Sequence, residues 1–323
     1  MKHNSILSIV IPTYNRADHL DCCLGTHIPL AKAHNIMLFV SDNASTDATA
    51  EVVARRSKEY QFIEYHCNES NLGPDENIEL ALKHPQSRYI WLLGDTYSIP
   101  PDGINYVLNH LAGTDAEYDL FLFNVSERIN DIPQKDYNSQ NDLLSNLGWH
   151  MTCMSCLVYS SKLIANADFG RYRNTNFIQT GVIFEYLANK QFLVHWAPSI
   201  SISGITIKGS IKESWQNQTF EIWVKRWPNY VFSLPPSYDI GAKLKCIKDH
   251  STKSGIFSMQ GLLSLKSVNQ FNFQIYRRYC DLFPITISLY RSIIFLIAIL
   301  PQPIARMMKP LKKKWTNRNR SWL

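Results

Sequence analysis

The first 125 residues alternate between short apolar runs and segments with apolar residues at helical spacing, and this alternation constrains the fold most. Such runs predict strands, and the segments between them predict helices. Strand and helix in regular alternation indicate a parallel sheet with helices on both faces. The predicted strands are 6–11, 36–40, 62–66, 89–93 and 118–125, and the predicted helices are 17–32, 47–60, 74–83 and 101–111. We therefore expect an α/β fold with a mostly parallel sheet.

The fourth apolar run ends in an acid, because Gly94 and Asp95 directly follow residues 89–93. Ligands of open α/β sheets bind just beyond the carboxyl ends of the strands, where Asp95 would reach a metal-bound phosphate or a ribose. Aspartate also caps helices, and Pro100 and Pro101 are suited to opening one. On this stretch alone, ligand binding and helix capping are equal alternatives.

The positive charge is concentrated at one end of the chain. The formal net charge of the 323 residues is +6, but eight bases and no acid follow Asp281, which leaves 25 bases against 27 acids in the chain up to and including Asp281. The body is therefore about neutral, and the charge of the tail says little about what the body binds. The 45% hydrophobic content allows a substantial core.

The seven cysteines are odd in number and irregularly spaced, which favours a reducing compartment over a disulfide framework. Cys153 and Cys156 form a CxxC, but no second pair or histidine cluster nearby completes a zinc site, so we expect buried thiols. The apolar run at 6–11 is too short for a signal peptide. We expect a cytoplasmic protein.

Beyond residue 125 the pattern is less regular. Residues 126–148 are polar and predict a mobile loop beside the site, 152–159 and 192–196 predict strands, and 176–189 predict a helix. From 213 to 280 the signals are helical, with Trp223, Trp227 and Tyr230 as a core stripe. We expect a sheet domain at 1–212, a helical region at 213–281 and a tail at 282–323.

The tail combines an apolar segment with a basic one. Residues 285–300 are apolar but only sixteen in number and are interrupted by Arg291, whereas a spanning helix needs about twenty. A helix lying in the membrane interface, followed by the basic cluster 309–320 with its flanking tryptophans, fits better. The alternative is an ordinary core helix with a disordered basic end. Nothing in the tail matches a nucleic-acid-binding motif, so a membrane surface is the expected partner.

Three polar segments, 12–16, 42–47 and 94–97, each follow a predicted strand. If the sheet is parallel, all three emerge at the same edge and form a pocket. The chain contains neither Gly-x-Gly-x-x-Gly nor Gly-x-x-x-x-Gly-Lys-Ser/Thr, so neither the dinucleotide fingerprint nor the P-loop is supported.

Together these segments resemble the family 2 glycosyltransferases, which have the Rossmann-like GT-A fold. The resemblance covers residues 6–125, with motifs in the order and spacing of the family: Ser-Ile-Val-Ile-Pro-Thr-Tyr-Asn-Arg at 8–16, Val-Ser-Asp-Asn-Ala-Ser-Thr-Asp at 40–47, Asn-Leu-Gly-Pro at 71–74 with Asn77, and Trp-Leu-Leu-Gly-Asp at 91–95. Within the family, it is closest to the abequosyltransferase-like members that build bacterial O-antigens in lipopolysaccharide.

The resemblance implies a nucleotide-sugar pocket in which Pro12, Thr13 and Tyr14 border the nucleotide base. Asp42 would accept a hydrogen bond from an N–H of the base, Arg16 would lie near the phosphates, and Asp95 would face the ribose and a divalent ion. The residues implied to form the pocket are Pro12, Thr13, Tyr14, Arg16, Asp42, Asn43, Asn71, Gly73, Asn77, Gly94, Asp95 and Tyr97.

The sequence departs from the family at the metal position. Family members carry further acids after the position of Asp95, but Thr96 and Tyr97 stand there in this chain. Hard cations prefer several oxygen ligands. Two alternatives stay open: Mg²⁺ or Mn²⁺ is held by Asp95, the diphosphate and water, or a cation such as Arg16 or a base of residues 126–148 replaces the ion.

A second departure concerns the catalytic base. Inverting members carry a Glu-Asp pair at the start of a later helix, and its Asp is the base, but Gln179 stands in the matching region. Glutamine cannot take a proton, and the nearest carboxylates are Asp168 and Glu185. The stereochemical outcome stays open.

The resemblance and the tail together predict an enzyme that transfers a sugar from a nucleotide-diphosphate sugar to a polyprenyl-diphosphate-linked oligosaccharide. We expect it at the inner face of the cell membrane, as a peripheral protein, with the helical C-terminal region completing the acceptor site. A nucleotide-sugar-binding protein without catalysis is the alternative. A nucleotidyltransferase would need a glycine-rich phosphate loop near the N-terminus. Residues 12–16 occupy that place and contain no glycine, which disfavours this activity.

Overall fold

The computed structural model describes residues 3–114, 116–188, 190–207 and 218–308. The chain divides into two compact units. The first comprises Met1–Gln140 and Met151–Ser210, and the second comprises Asn141–His150 and Ile211–Leu323. The division into three parts that the sequence suggests stays a prediction.

The first unit is built on a mixed sheet. Its strands within the described residues are β1 (Leu7–Thr13), β2 (Met37–Asp42), β3 (Ile63–Cys67), β4 (Tyr89–Leu92), β5 (Tyr97–Ser98), β6 (Leu120–Val125), β7 (Lys135–Tyr137), β8 (Leu157–Ser160) and β9 (Val194–Gly204). Their order is β3-β2-β1-β4-β8-β6-β9-β5, with β7 paired to β9. β1 to β4 are mutually parallel and β6 is parallel to β9, whereas β5, β7 and β8 run antiparallel to their neighbours. The predicted fold class is confirmed.

The strands β1, β2 and β4 are completely buried, as their continuous apolar runs predict. β1 and β2 both extend two residues beyond their predicted ends, to Thr13 and Asp42. These two residues lie opposite each other in the last pair of the parallel ladder. The first polar residues of two pocket segments are therefore held by the sheet itself.

The four helices predicted between the first five strands are confirmed as α1 to α4. The α-helices of the described residues are α1 (Ala17–His34), α2 (Thr49–Ser57), α3 (Pro74–Lys83), α4 (Gly103–Ala112), α5 (Gln140–Leu147), α6 (Ser161–Ala165), α7 (Ile178–Leu187), α8 (Trp227–Ser233), α9 (Ile240–Ser254), α10 (Met259–Ser267), α11 (Phe273–Tyr279), α12 (Phe283–Thr286), α13 (Arg291–Ile299) and α14 (Gln302–Met307). Pro74 occupies the first turn of α3, and Gly73 before it has a φ of 85°, which side chains disfavour.

Two predictions after β6 are wrong. Residues 126–148 are not one loop, because β7 pairs with β9 and α5 buries three leucines. Residues 152–159 are not one strand, because 3₁₀ turns at His150–Thr152 and Met154–Cys156 precede β8. Cys153 and Cys156 are nevertheless buried, as predicted.

The second unit is helical throughout its described part. The predicted core stripe is confirmed, since Trp223, Trp227 and Tyr230 are all buried along a π-helical segment that continues into α8. The indole of Trp223 stacks on the imidazole of His250 in α9, with ring centroids 3.8 Å apart. These aromatic contacts form part of the core of this unit.

The apolar segment 285–300 is divided, because α12 ends at Thr286 and α13 begins at Arg291. Among the residues described, no helix is both long and apolar enough to cross a membrane. The predicted basic cluster 309–320 and its tryptophans lie outside the described residues.

A buried histidine of α1 fixes the chain just after the candidate site. The Nδ1–H of His27 donates to the carbonyl of Cys23 at 2.6 Å, and its Nε2 accepts from the backbone N–H of Ile99 at 3.0 Å. Both ring nitrogens are thus used by the neutral imidazole. Burial lowers the pKa of His27 to about 4, although the hydrogen bond to Cys23 acts in the opposite direction.

This histidine makes the protein sensitive to acid. The unfolded chain binds a proton at His27 near pH 6.5, and the folded chain does so only near pH 4, so stability falls as the pH decreases between these values. We expect a loss of about 2 kcal/mol between pH 7 and pH 5 from this residue alone. Urea unfolding at both pH values should show that His27→Gln removes a difference of this size. The exposed His84→Gln is the control, and equal slopes in wild type and His27→Gln would contradict the prediction.

Candidate functional site

The three polar segments that follow β1, β2 and β4 meet at one edge of the sheet, as predicted. The backbone N–H of Asn43 donates to the carbonyl of Thr13 at 3.0 Å. The hydroxyl of Thr13 donates to Oδ2 of Asp95, also at 3.0 Å. Thr13 therefore joins the segment after β2 to the segment after β4.

Asp95 is a buried carboxylate with a cation beside it. Its Oδ1 lies 3.2 Å from Nη1 of Arg16, and its side chain is 5% exposed against 30% for that of Arg16. The capping alternative fails, because α4 begins eight residues later with Asp102 at its N-cap position. Asp95 thus faces the pocket segment after β1 and does not begin a helix.

Gly94 is closely packed against the residues before β8. A Cβ at this position would lie 2.9 Å from Cε of Met154 and 3.3 Å from Oγ of Ser155. The backbone N–H of Gly94 donates to the same Ser155 hydroxyl at 3.0 Å. The 3₁₀ turn before β8 therefore holds the residue in front of Asp95.

Asp42 is equally buried but is surrounded by neutral donors. Its Oδ2 accepts from the Tyr65 hydroxyl at 2.7 Å, and its Oδ1 accepts from the backbone N–H of Ser45 at 2.9 Å. Burial, and then the hydrogen bond to Asp42, raises the pKa of Tyr65, so the phenol stays protonated and donates. The oxygens of Asp42 have lone pairs left to accept further hydrogen bonds.

Asn43 connects the segments after β2 and β3. Its Nδ2 donates to Oδ1 of Asn71 at 2.8 Å and to the carbonyl of Gly73 at 3.2 Å, while its Oδ1 accepts from Asn68 and from the N–H of Leu72. All four hydrogen-bonding positions of the amide are used. This network fixes the wall of the pocket next to Asp42.

Asn77 supports the same wall from α3. Its Nδ2 donates to the carbonyl of Ser41 at 3.0 Å, and its Oδ1 accepts from the Ser41 hydroxyl at 2.8 Å. An open cavity of about 350 Å³ lies along the segment after β3, lined by His66, Cys67, Asn68, Glu69, Ser70 and Leu72. Asn68 and Leu72 therefore belong both to the cavity and to the Asn43 network.

The remaining residues of the segment 12–16 lie around the rim of the pocket. Pro12 is buried and pairs with Ser41, whereas Tyr14 is 42% exposed. Asn15 has a φ of 51° and accepts from the N–H of Thr46 at 2.7 Å, which ties the segment to the one after β2. This turn directs the chain so that Arg16 reaches Asp95.

Tyr97 belongs to β5 and pairs with Gly204. The edge of its ring lies near Gly94, since Cδ2 would be 3.4 Å from a Cβ there. Its side chain also hydrogen-bonds the thiol of Cys153. The phenol is therefore directed at buried sulfur.

Gln179 and the two candidate bases, Asp168 and Glu185, are engaged in structural contacts. Oδ1 of Asp168 accepts from the N–H of Arg171, and Glu185 pairs with Arg171 at 2.9 Å and accepts from the Tyr172 hydroxyl at 2.7 Å. The amide of Gln179 donates to the carbonyl of Thr152 at 3.1 Å. None of these contacts involves a residue of the pocket described above.

The sequence did not single out several residues that hold the pocket together. Tyr65, Asn68 and Ser155 orient Asp42, Asn43 and Gly94, and only Tyr65 stands out as a polar aromatic in a strand. Asp75 of α3 was also missed: its Oδ2 accepts from the backbone N–H of Asn176 just before α7, and the residue is 5% exposed. Its position after the Asn-Leu-Gly-Pro motif was the available signal.

The residues around Asp95 do not fit a divalent ion. Both oxygens of Asp95 have partners, Thr13 and Arg16, and the next two residues add no carboxylate. Within the described ranges, no group of three or more His, Cys, Asp or Glu side chains is arranged to hold a metal ion. A hard cation, which takes six or more oxygen ligands, would find one carboxylate here and a guanidinium next to it.

Comparisons with known proteins agree with this geometry. Residues 8–166 match the family model described as glycosyl transferase family 2. The chain is 33% identical to abequosyltransferase RfbV of Salmonella typhimurium over 119 residues, which are 36% of this chain and 35% of that protein. It is 43% identical to validoxylamine A glucosyltransferase of Streptomyces hygroscopicus over 72 residues, which are 22% of this chain and 17% of that protein. The matches thus span only about a third and a sixth of these relatives.

Solved structures share the fold over most of the chain. Mannosyltransferase PcManGT from Pyrobaculum calidifontis, in complex with GDP-Man and Mn²⁺, has a TM-score of 0.55 at 13% identity, covering 97% of this chain and 89% of that one. TarS 1–349 of S. aureus, in complex with UDP-GlcNAc, has a TM-score of 0.53 at 13% identity, covering 94% and 88%. Residues 8–166 therefore match glycosyltransferase family 2, and the likeness to solved glycosyltransferases shows the GT-A fold.

Proposed function

We propose that this protein transfers a sugar from a nucleotide-diphosphate sugar to an acceptor hydroxyl, as part of bacterial surface-polysaccharide synthesis. One observation carries the proposal: Thr13 joins the segments of Asp42 and Asp95 in a single pocket at the carboxyl edge of the sheet. That edge is where ligands of open α/β sheets bind. The similarity to an abequosyltransferase supports the O-antigen as the polysaccharide.

The two carboxylates suit the two ends of a nucleoside diphosphate. Asp42, held by neutral donors, would accept from an N–H of the base, with Tyr14 at the rim and the Asn43 network as the wall. Asp95 would accept from ribose hydroxyls, and Arg16 would lie beside the phosphates. In the reaction, the bond from the anomeric carbon to the phosphate oxygen breaks, the electron pair leaves with the diphosphate, and the acceptor oxygen forms the new bond and loses its proton.

The acceptor proposed here is a polyprenyl-diphosphate-linked oligosaccharide, reached by a peripheral attachment to the inner face of the cell membrane. Support comes from α13, which buries Ile294, Ile297 and Ala298 and exposes Leu296 by 60% and Ile299 by 49%. The exposed apolar surface continues on Ile304, Met307 and Met308. A surface of this kind, followed in sequence by a basic cluster, is typical of a segment that binds an anionic membrane interface.

A second candidate is a nucleotide-sugar-binding protein without transfer. The amide of Gln179 and the structural contacts of Asp168 and Glu185 favour it, because none of the three is positioned as a base within the pocket. The two candidates differ in whether bound donor is consumed when an acceptor is present.

Asp95→Asn should lower the rate of sugar transfer by between about 100-fold and 1000-fold, because the amide removes the negative charge that holds Arg16 and the ribose in place. The measurement is consumption of radiolabelled nucleotide sugars with a membrane-extracted lipid acceptor. Asp102→Asn, at an exposed acid seven residues after Asp95, is the matched control and should retain wild-type rates. Donor binding by the wild type without any consumption would support the binding protein instead.

Leu296→Glu and Ile299→Glu should each weaken binding to vesicles of phosphatidylethanolamine and phosphatidylglycerol by about tenfold or more, since burying one such side chain contributes about 1.5 kcal/mol or more. Co-sedimentation of the full chain measures the partition. Leu80→Glu, at an exposed apolar position of α3, is the control. Added salt should weaken binding further, because it screens the attraction of the basic tail. Unchanged co-sedimentation of both α13 variants would rule out this surface as the membrane contact.

A further inference from the structure

We propose that Arg16 neutralises the diphosphate directly, so that donor binding in this protein does not require a divalent cation. The inference rests on the proposed function, because it names how that donor is held. It follows from the disagreement between the side chains at Asp95 and the ligand set that a hard cation needs.

The first step is the state of Asp95 itself. One oxygen accepts from Thr13 at 3.0 Å, and the other lies 3.2 Å from the guanidinium of Arg16. A divalent ion binds carboxylate oxygen at about 2.0 to 2.6 Å, so an ion on Oδ1 would lie close to a positive charge. The guanidinium beside the carboxylate offsets part of its negative charge, which weakens the attraction of Asp95 for a second cation.

The two residues that follow Asp95, Thr96 and Tyr97, provide no second carboxylate. Tyr97 contributes a phenol in place of an acid, and that phenol hydrogen-bonds the Cys153 thiol. The guanidinium of Arg128 is near enough to interact electrostatically with both groups. Tyr97 therefore adds no carboxylate, and a guanidinium interacts with it electrostatically.

The third step is the accessibility of Arg16. Its side chain is 30% exposed, whereas that of Asp95 is 5% exposed, so the guanidinium lies between the buried carboxylate and solvent. Guanidinium groups bind phosphate oxygens through paired, charge-assisted hydrogen bonds and stay protonated at all physiological pH values. A guanidinium has five N–H donors, so Arg16 can bind a diphosphate while it contacts Asp95.

The bond changes of the transfer step need no metal ion under this scheme. As the bond between the anomeric carbon and the phosphate oxygen breaks, the electron pair remains on the diphosphate, and the fixed charge of Arg16 stabilises it. The arginine neither gains nor loses a proton. The proton of the acceptor hydroxyl passes to solvent or to a base.

The test compares nucleotide binding with and without metal, using the full chain dialysed against EDTA. Isothermal titration with UDP, CDP, dTDP and GDP is carried out in EDTA, in Mg²⁺ and in Mn²⁺. We expect at least one diphosphate to bind in EDTA, with an affinity that neither ion raises. Arg16→Gln should weaken that binding by about tenfold or more, a change of about 1.4 kcal/mol, and neither ion should restore it.

Two further variants keep the experiment decisive. Arg16→Lys retains the charge and should bind better than Arg16→Gln, which a general loss of folding would not produce. Arg55→Gln removes an exposed arginine of α2 and should bind as the wild type does. Binding that appears only with Mg²⁺ or Mn²⁺, or that survives Arg16→Gln, would overturn the inference and leave the proposed function intact. Absence of binding by all four diphosphates under every condition would overturn the proposed function itself.

Discussion

The pairing of Thr13 with Asp42, the last pair between β1 and β2, is the constraint on which the pocket depends. β1 lies between β2 and β4, so a residue at its carboxyl end can contact both neighbours. Thr13 does so, with its carbonyl on Asn43 and its hydroxyl on Asp95. A register shift of one residue would turn the Thr13 side chain to the opposite face and separate it from Asp95. The geometry of the pocket is therefore set by sheet register, which the buried apolar runs enforce.

The part of the site that the sequence predicts is the part that this register determines. Apolar runs of the right length indicate β1, β2 and β4, and parallel strands bring the residues after them to one edge. Tyr65 could not be predicted as the partner of Asp42, because its role depends on β3 lying next to β2. Neighbour relations across a sheet are long-range facts, and a local pattern does not contain them.

The two wrong predictions after β6 have related causes. Within residues 126–148, two of the three side chains of β7 are exposed, so this strand has no apolar pattern. Its ordered conformation comes from pairing with β9, a strand far along the chain. Residues 152–159 have the composition of a strand, but the indole N–H of Trp91 bonds the carbonyl of Ser155 at 2.9 Å and the Ser155 hydroxyl accepts from Gly94. Those contacts are made by the 3₁₀ turn, and its sequence alone does not distinguish it from an extended segment.

The two buried acids of the pocket are compensated in different ways, and this difference divides the site. Asp42 is held by a phenol and an N–H, so its oxygens remain available as acceptors for a ligand donor. Asp95 lies beside Arg16, so this end of the pocket carries a guanidinium as well as a carboxylate. A nucleoside diphosphate has the matching polarity, with N–H groups at the base and negative charge at the phosphates.

This polarity also bears on the amide of Gln179, which stands in the region where the family carries its base. In the proposed reaction most of the charge that develops belongs to the departing diphosphate, and fixed positive charge next to it lowers the barrier more than proton removal does. As the bond to the leaving group breaks, the anomeric carbon becomes more electrophilic, and the acceptor hydroxyl becomes more acidic as it begins to bond. A site that stabilises the leaving group can therefore function with a weaker base. The presence of Arg16 beside Asp95 is therefore consistent with an amide, Gln179, in the region where the family carries its base.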